Sequence, residues 1–178
     1  MAIVYVGLGS NIGDRTRHLV DACTTLAQHP AITLQAVSSL YHTAPVGVTH
    51  QPWFLNAVAR LETTLKPPSL LSVTQATERR LGRTLTFHWG PRVIDIDLLL
   101  YDSLCLQTPF LTLPHAALET RQFVLVPLHE LAPRLLLPSG IAVQTLLARL
   151  GRDDRVQRLG PFPTMDLSTQ AIDSGVSL

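Results

Sequence analysis

Lysine is almost missing from this chain of 178 residues: Lys66 stands alone against thirteen arginines. Cysteine is scarce too, with Cys23 and Cys105 the only pair. They supply neither a disulfide framework nor a metal-ligand spacing, and they read as two small buried hydrophobes in a reducing cytosol. Charge is low and balanced. Fourteen basic and 13 acidic residues leave a net +1, which is no electrostatic footprint for gripping nucleic acid or an anionic membrane. No apolar run reaches the roughly 18 residues of a membrane span, and the densest stretch, residues 93–100, carries Asp95 and Asp97. No basic segment precedes the apolar N-terminal stretch, so no signal peptide is expected. Internal repeats and low-complexity blocks are absent as well.

What is present suits one packed domain with a large core. Hydrophobic residues make up 46% of the chain and charged residues 15%, far too apolar for a disordered segment. The length fits one domain rather than two. Residues 2–8 are apolar and β-branched and predict a first strand. Ser10, Asn11 and Asp14 read as capping residues for a helix over 15–28, where Leu19, Ala22, Cys23 and Leu26 recur at helical spacing. Alternation predicts strands over 32–41 and 54–61, flanking a Pro- and Gly-bearing loop. Pro67 and Pro68 suit a helix start and Gly82 a stop. Residues 83–91 read as a loop, 93–101 as a buried strand and the segment to 111 as a hairpin. Helices are expected over 123–131 and 143–150. From 161 to 178 the composition turns to Pro, Ser, Thr, Gly and Asp and reads as a flexible tail beyond a domain of residues 1–160. Interleaved helices and strands, some paired as hairpins, give an α+β class.

The sharpest chemical signal is the pair Asp95 and Asp97. At i and i+2 on a strand, both carboxylates project from one face, out of a segment otherwise apolar enough to be buried. Carboxylates held that close repel, and burial adds to the penalty, so a cation must compensate. Paired hard oxygen ligands suit Mg²⁺, which takes one or two carboxylates together with substrate phosphates. A solvated strand end or salt bridges to arginine would account for a lone pair equally well. The context favours the metal: Arg83 and Arg92 bracket the loop that enters this strand, a composition suited to a Mg²⁺–polyphosphate site. His115, after Pro114 and close to Arg121, is a weaker signal. Phe54, Asn56 and Phe123 taken singly are ordinary core or turn residues. The glycines of G-L-G-S-N-I-G lack the Gly-Lys-Ser/Thr of a phosphate loop and have the wrong spacing for a dinucleotide fingerprint.

Taken together, six segments resemble one family, the 6-hydroxymethyl-7,8-dihydropterin pyrophosphokinases of folate biosynthesis. They are V-G-L-G-S-N-I-G-D (6–14), Y-H-T-A-P-V-G (41–47), Q-P-W-F-L-N-A (51–57), Q-A-T-E-R-R-L-G-R (75–83), W-G-P-R-V-I-D-I-D-L-L-L-Y (89–101) and P-H-A-A-L-E-T-R-Q-F-V-L-V-P-L (114–128). Their order and spacing match over about residues 3–150. The resemblance implies a ferredoxin-like antiparallel sheet with helices packed on it. It also implies transfer of pyrophosphate from ATP to the hydroxymethyl oxygen of the pterin, with release of AMP. Asp95 and Asp97 match ligands for two Mg²⁺ ions, and Arg83 and Arg92 join them as catalytic residues. Gln75, Glu78, Trp89, His115 and Arg121 match the nucleotide site. Phe54 and Phe123 match the aromatic pair around the pterin, with Asn56, Thr43 and Val46 on its edge. Leu85 and His88 stand where family members usually carry arginines. The reading is completed by a cytoplasmic monomer that binds neither nucleic acid nor membrane. The alternative is a ferredoxin-like module that binds RNA or a ligand without chemistry.

Overall fold

A computed structural model describes residues 1–47, 50–84 and 90–165. Strand β1 (Ala2–Ser10) leads into helix α1 (Arg15–Ala27), whose first turn is capped where Asp14 accepts from the Arg17 amide at 3.0 Å. Strands β2 (Ile32–Val37), β3 (Leu40–Thr43) and β4 (Phe54–Thr63) follow, and then helix α2 (Pro67–Arg80), which opens on its two prolines. Strand β5 (Asp95–Tyr101) is followed by the small hairpin of β6 (Leu106–Gln107) and β7 (Thr112–Leu113). A 3₁₀ turn at Leu118–Thr120 precedes α3 (Gln122–Leu131), α4 (Val143–Leu150) and β8 (Val156–Gly160).

The main sheet runs β5-β1-β4-β3-β8, with β2 beside the far end of β4. Its neighbours are all antiparallel. The succession β-α-β-β-α-β with the first strand inside the sheet makes this a ferredoxin-like α+β fold. The single strand expected over 32–41 is two. At the break Ser38 replaces the ladder with its side chain: its amide donates to the Val58 carbonyl at 2.9 Å, and its Oγ accepts from the Val58 amide at 3.0 Å. β8, which the sequence pattern did not reveal, is an edge strand of five residues pairing only with β3.

The pleat sends Val4, Val6 and Leu8 to one face of β1, and Tyr5, Gly7 and Gly9 to the other. The first face packs against Leu19, Cys23 and Leu26 of α1 and Leu70 of α2. The second packs Tyr5, Val58 and Leu99 against Val124, Leu125 and Leu128 of α3 and Val143 and Leu146 of α4. Each fully shielded leucine, such as Leu19 or Leu125, stabilises the fold by roughly 1.5–3 kcal/mol. Cys23 is buried as expected, but Cys105 is exposed, on the turn between β5 and β6. The described chain also runs past Gly160. Phe162 and Met165 pack against the core on the α1–α2 side, so apolar burial holds the start of the segment read as a flexible tail. Residues 166–178 lie outside the described residues.

Candidate active site

Along β1 the side chains of the second face shrink from Tyr5 to nothing at Gly7 and Gly9. The sheet there becomes a bare floor that α3 does not cover. Register fixes what stands beside it. Gly9 pairs with Asn56 on β4 and with Asp95 on β5, while Gly7 pairs with Val58 and Asp97. Over this floor lies a cavity of about 460 Å³. Thr43, Ala44, Val46 and Phe54 form one wall, Arg83, Thr84 and Arg92 another, and His115, Arg121 and Phe123 a third. Glycine is required at position 9, since a Cβ there would lie 2.8 Å from Asn56 Oδ1.

One end of the cavity is aromatic and amide-bearing. Asn56 is buried and donates through Nδ2 to Thr43 Oγ1 at 2.5 Å. Phe54 and Phe123 each lie under a guanidinium: Arg92 sits 5.8 Å from the Phe54 ring centre, and Arg121 sits 5.6 Å from that of Phe123. These cation–π contacts fix the arginines as well as the rings.

The other end is charged. Arg83 Nη1 donates to Asp95 Oδ1 at 2.6 Å, and Arg92 Nη1 donates to Asp95 Oδ2 at 2.6 Å, so both oxygens of Asp95 are held. Asp97 makes no hydrogen bond to the described residues. Burial, and then repulsion from Asp95, push its carboxyl up to about 7, against the pull of Arg121 and Arg92. His115 Nδ1 accepts from the Ala117 amide at 3.1 Å, which leaves the ring proton on Nε2. Burial and the nearby Arg121 lower its pKa, keeping the ring neutral at pH 7. Arg83, Arg92 and Arg121 gather here around Asp95 and Asp97, with Glu78 paired to Arg83 from behind the wall.

The structure therefore brings together Thr43, Val46, Phe54, Asn56, Arg83, Arg92, Asp95, Asp97, His115, Arg121 and Phe123. It does not bring Gln75, which is exposed on α2 and does not line the cavity. Glu78 also stays out: it is buried behind the wall, bonded to Arg83 and to the Ile96 amide. Trp89, Leu85 and His88 lie outside the described residues. Sequence reasoning missed the part Asn11 plays, having read it as a helix cap. Its Nδ2 donates to Gln51 Oε1 at 3.0 Å and to the Pro52 carbonyl at 3.1 Å, and its Oδ1 accepts from the Arg92 amide at 2.8 Å. It knots together two loops that border the cavity. A larger hollow, about 780 Å³, lies around Gln122, Asp153 and Arg158 and holds none of these residues.

The family model for 7,8-dihydro-6-hydroxymethylpterin-pyrophosphokinase (HPPK) matches residues 5–133. The chain belongs to this family. It is 47% identical over 150 residues to the 2-amino-4-hydroxy-6-hydroxymethyldihydropteridine pyrophosphokinase of Methylorubrum extorquens, covering 84% of this chain and 94% of that one. The enzyme of the same name from Bacillus subtilis is 45% identical over 133 residues, covering 75% of this chain and 80% of that one. A crystal structure of Plasmodium falciparum HPPK-DHPS superposes with a TM-score of 0.66 at 14% identity. The match covers 83% of this chain and 45% of that longer one, and it carries the HPPK fold alone.

Proposed function

We propose that this cavity transfers the pyrophosphoryl group of ATP to the hydroxymethyl oxygen of 6-hydroxymethyl-7,8-dihydropterin, with AMP as the leaving product. One observation carries the reading: a single cavity is lined by two phenylalanine rings and a buried amide together with three guanidiniums and two carboxylates. Phe54 and Phe123 offer ring faces to the pterin, and Asn56, fixed on Thr43, offers amide hydrogen bonds to its edge. Val46, exposed at the rim, closes this end. Arg83, Arg92 and Arg121 suit phosphate oxygens, since guanidinium donors fork onto them. His115, neutral with its proton on Nε2, adds a donor without adding charge.

Asp95 and Asp97 are the residues that would hold Mg²⁺. The donor set fits: both carboxylates are hard oxygen ligands on one strand face, and the Asp97 carboxylate accepts no hydrogen bond from the described residues. Two bound ions would neutralise phosphate charge that builds up during transfer. The chain's own residues do the rest by orientation. The aromatic slot sets the hydroxymethyl oxygen toward the arginines, and the arginines set the phosphate chain over Gly7 and Gly9, where the missing side chains leave space. Transfer forms a bond from that oxygen to the β-phosphorus, breaks the bond from the β-phosphorus to the oxygen bridging to the α-phosphorus, which leaves with AMP, and releases the hydroxyl proton to solvent. Gln75 and Trp89 belong to the proposed nucleotide site on the resemblance alone.

We read the chain as a cytoplasmic monomer that acts without nucleic acid or membrane. A net charge of +1 supports the part of this reading that excludes nucleic acid, and no helix among the described residues is long and apolar enough to cross a membrane. The test is AMP formation from ATP. It should require the pterin and Mg²⁺ together, and single-stranded RNA should give no gel shift. RNA binding with no pterin-dependent AMP would favour the non-catalytic alternative.

A further inference from the structure

The end of α2 is built to return the chain on itself. Gly82 takes φ +91°, its amide donates to the Arg79 carbonyl at 3.1 Å, and the Arg83 amide donates to the Glu78 carbonyl at 3.0 Å. That pair of bonds is the Schellman closure of a helix, which glycine in the left-handed region permits. It sets Arg83 directly against Glu78, five residues back. The side chains meet as the backbones do. Glu78 Oε1 accepts from Arg83 Nη1 and, at 2.6 Å, from the Ile96 amide of β5. Arg83 Nη1 then reaches Asp95 Oδ1 at 2.6 Å.

Glu78 is 7% exposed and does not line the cavity, so it is poorly placed to touch a substrate. Its other partners are few, whereas Asp95 has competing demands from Arg83, from Arg92 and, on the reading above, from a cation. The remaining guanidinium nitrogens of Arg83 make no hydrogen bond to described residues, and Arg83 lines the cavity. We propose that Glu78 is a positioning residue for the transfer. It is the fixed tether that holds the Arg83 guanidinium at the phosphate end when Asp95 lets go. Burial of a carboxylate is costly, and here a backbone amide and a guanidinium satisfy it. The contact therefore spends stability on orientation.

This inference rests on the transfer reading, and the test separates the two. Turnover and binding of a non-hydrolysable ATP analogue are measured for the wild-type chain, Glu78→Gln, Arg83→Ala and the double variant, a cycle that isolates the coupling. Glutamine keeps an oxygen for the Ile96 amide and weakens the hold on the guanidinium. Glu78→Gln should lower kcat about tenfold with the pterin KM unchanged, and in the Arg83→Ala background the same substitution should change kcat less than about twofold. An equal loss in both backgrounds, or no loss in the first, overturns the proposal. A wild-type chain that forms no pterin-dependent AMP would instead sink the transfer reading. A second measurement needs no change at Glu78. In Asp95→Asn the Arg83 Nε–H resonance should stay as rigid by ¹⁵N relaxation as in the wild-type chain, because Glu78 still holds it. Free guanidinium motion in the folded Asp95→Asn protein overturns the tether.

Discussion

Gly9→Ala tests the floor of the cavity, and its size follows from the register. Gly9 lies between Asn56 and Asp95, and an alanine Cβ would come 2.8 Å from Asn56 Oδ1. Asn56 cannot simply retreat, since it is buried and its Nδ2 is bonded to Thr43 at 2.5 Å. Relieving the clash means rotating the amide away from Thr43 or spreading the strands. Overpacking of this kind costs about 1–3 kcal/mol, and the lost Asn56–Thr43 bond adds about 1 kcal/mol. In a domain of this size that lowers the thermal midpoint by roughly 4–16 °C. The displaced amide should also weaken pterin binding about tenfold or more, one hydrogen bond's worth, while a non-hydrolysable ATP analogue binds nearly as before. Calorimetric titration with each ligand and a scanning melt are the assays. Gly7→Ala is the control: its Cβ would meet Leu99 at an ordinary 3.5 Å, so its midpoint should move much less. Wild-type pterin affinity and an unshifted midpoint in Gly9→Ala would refute both the floor and the role given to Asn56.

Phe123→Ala should weaken pterin binding by on the order of 1 kcal/mol beyond any effect on ATP; equal loss for both ligands in separate titrations would mean a collapsed wall instead. Glu130 accepts from the Ser39 amide and hydroxyl and from Tyr41 Oη at 2.6–3.0 Å. Burial raises its pKa, but these bonds outweigh it and hold the carboxyl below its usual value. That stability is present above the unfolded pKa near 4.5 and is lost as pH falls through the lower folded value. The melting midpoint of Glu130→Gln should therefore fall less steeply than that of the wild-type chain below about pH 4.5; parallel curves would contradict this. Ending the chain after Gly160 removes Phe162 and Met165 from the core and should cost about 1–3 kcal/mol, read in a denaturant titration. An unchanged unfolding free energy would show that their packing contributes nothing.

Much of this was legible because the patterns involved are local. The periodicity of Leu19, Ala22, Cys23 and Leu26 marked the buried side of α1, and two prolines and a glycine bounded α2. Alternation showed that Asp95 and Asp97 share a face. Their meeting with Phe54, Asn56 and Phe123 depends on strand order, and only the family resemblance anticipated it. Where the pattern failed, a non-local bond had replaced a local rule. Ser38 interrupts a strand by lending its hydroxyl to Val58, and Glu130 reaches Ser39 across 91 residues. Asn11 looked like a cap because Asn often is one, yet Asp14 took that place and freed Asn11 to join two loops. Glu78 and Gln75 share a helix with the right motif, but the helix turns one carboxylate inward behind Arg83 and leaves the amide exposed. β8 is short and half polar, and it exists because β3 has an edge to offer.

Turnover by Asp97→Asn tests the central claim most directly. Asn keeps the shape of the side chain and removes the charge from the one cavity carboxylate that has no hydrogen-bond partner among the described residues. The variant should stay folded by circular dichroism, since repulsion from Asp95 is relieved. Its pterin-dependent AMP formation should fall by about 10³-fold or more, the scale of losing an electrostatic stabiliser of the transition state, and excess Mg²⁺ should not restore it. Turnover within a few-fold of wild type would contradict the metal role of Asp97 and the transfer mechanism built on it.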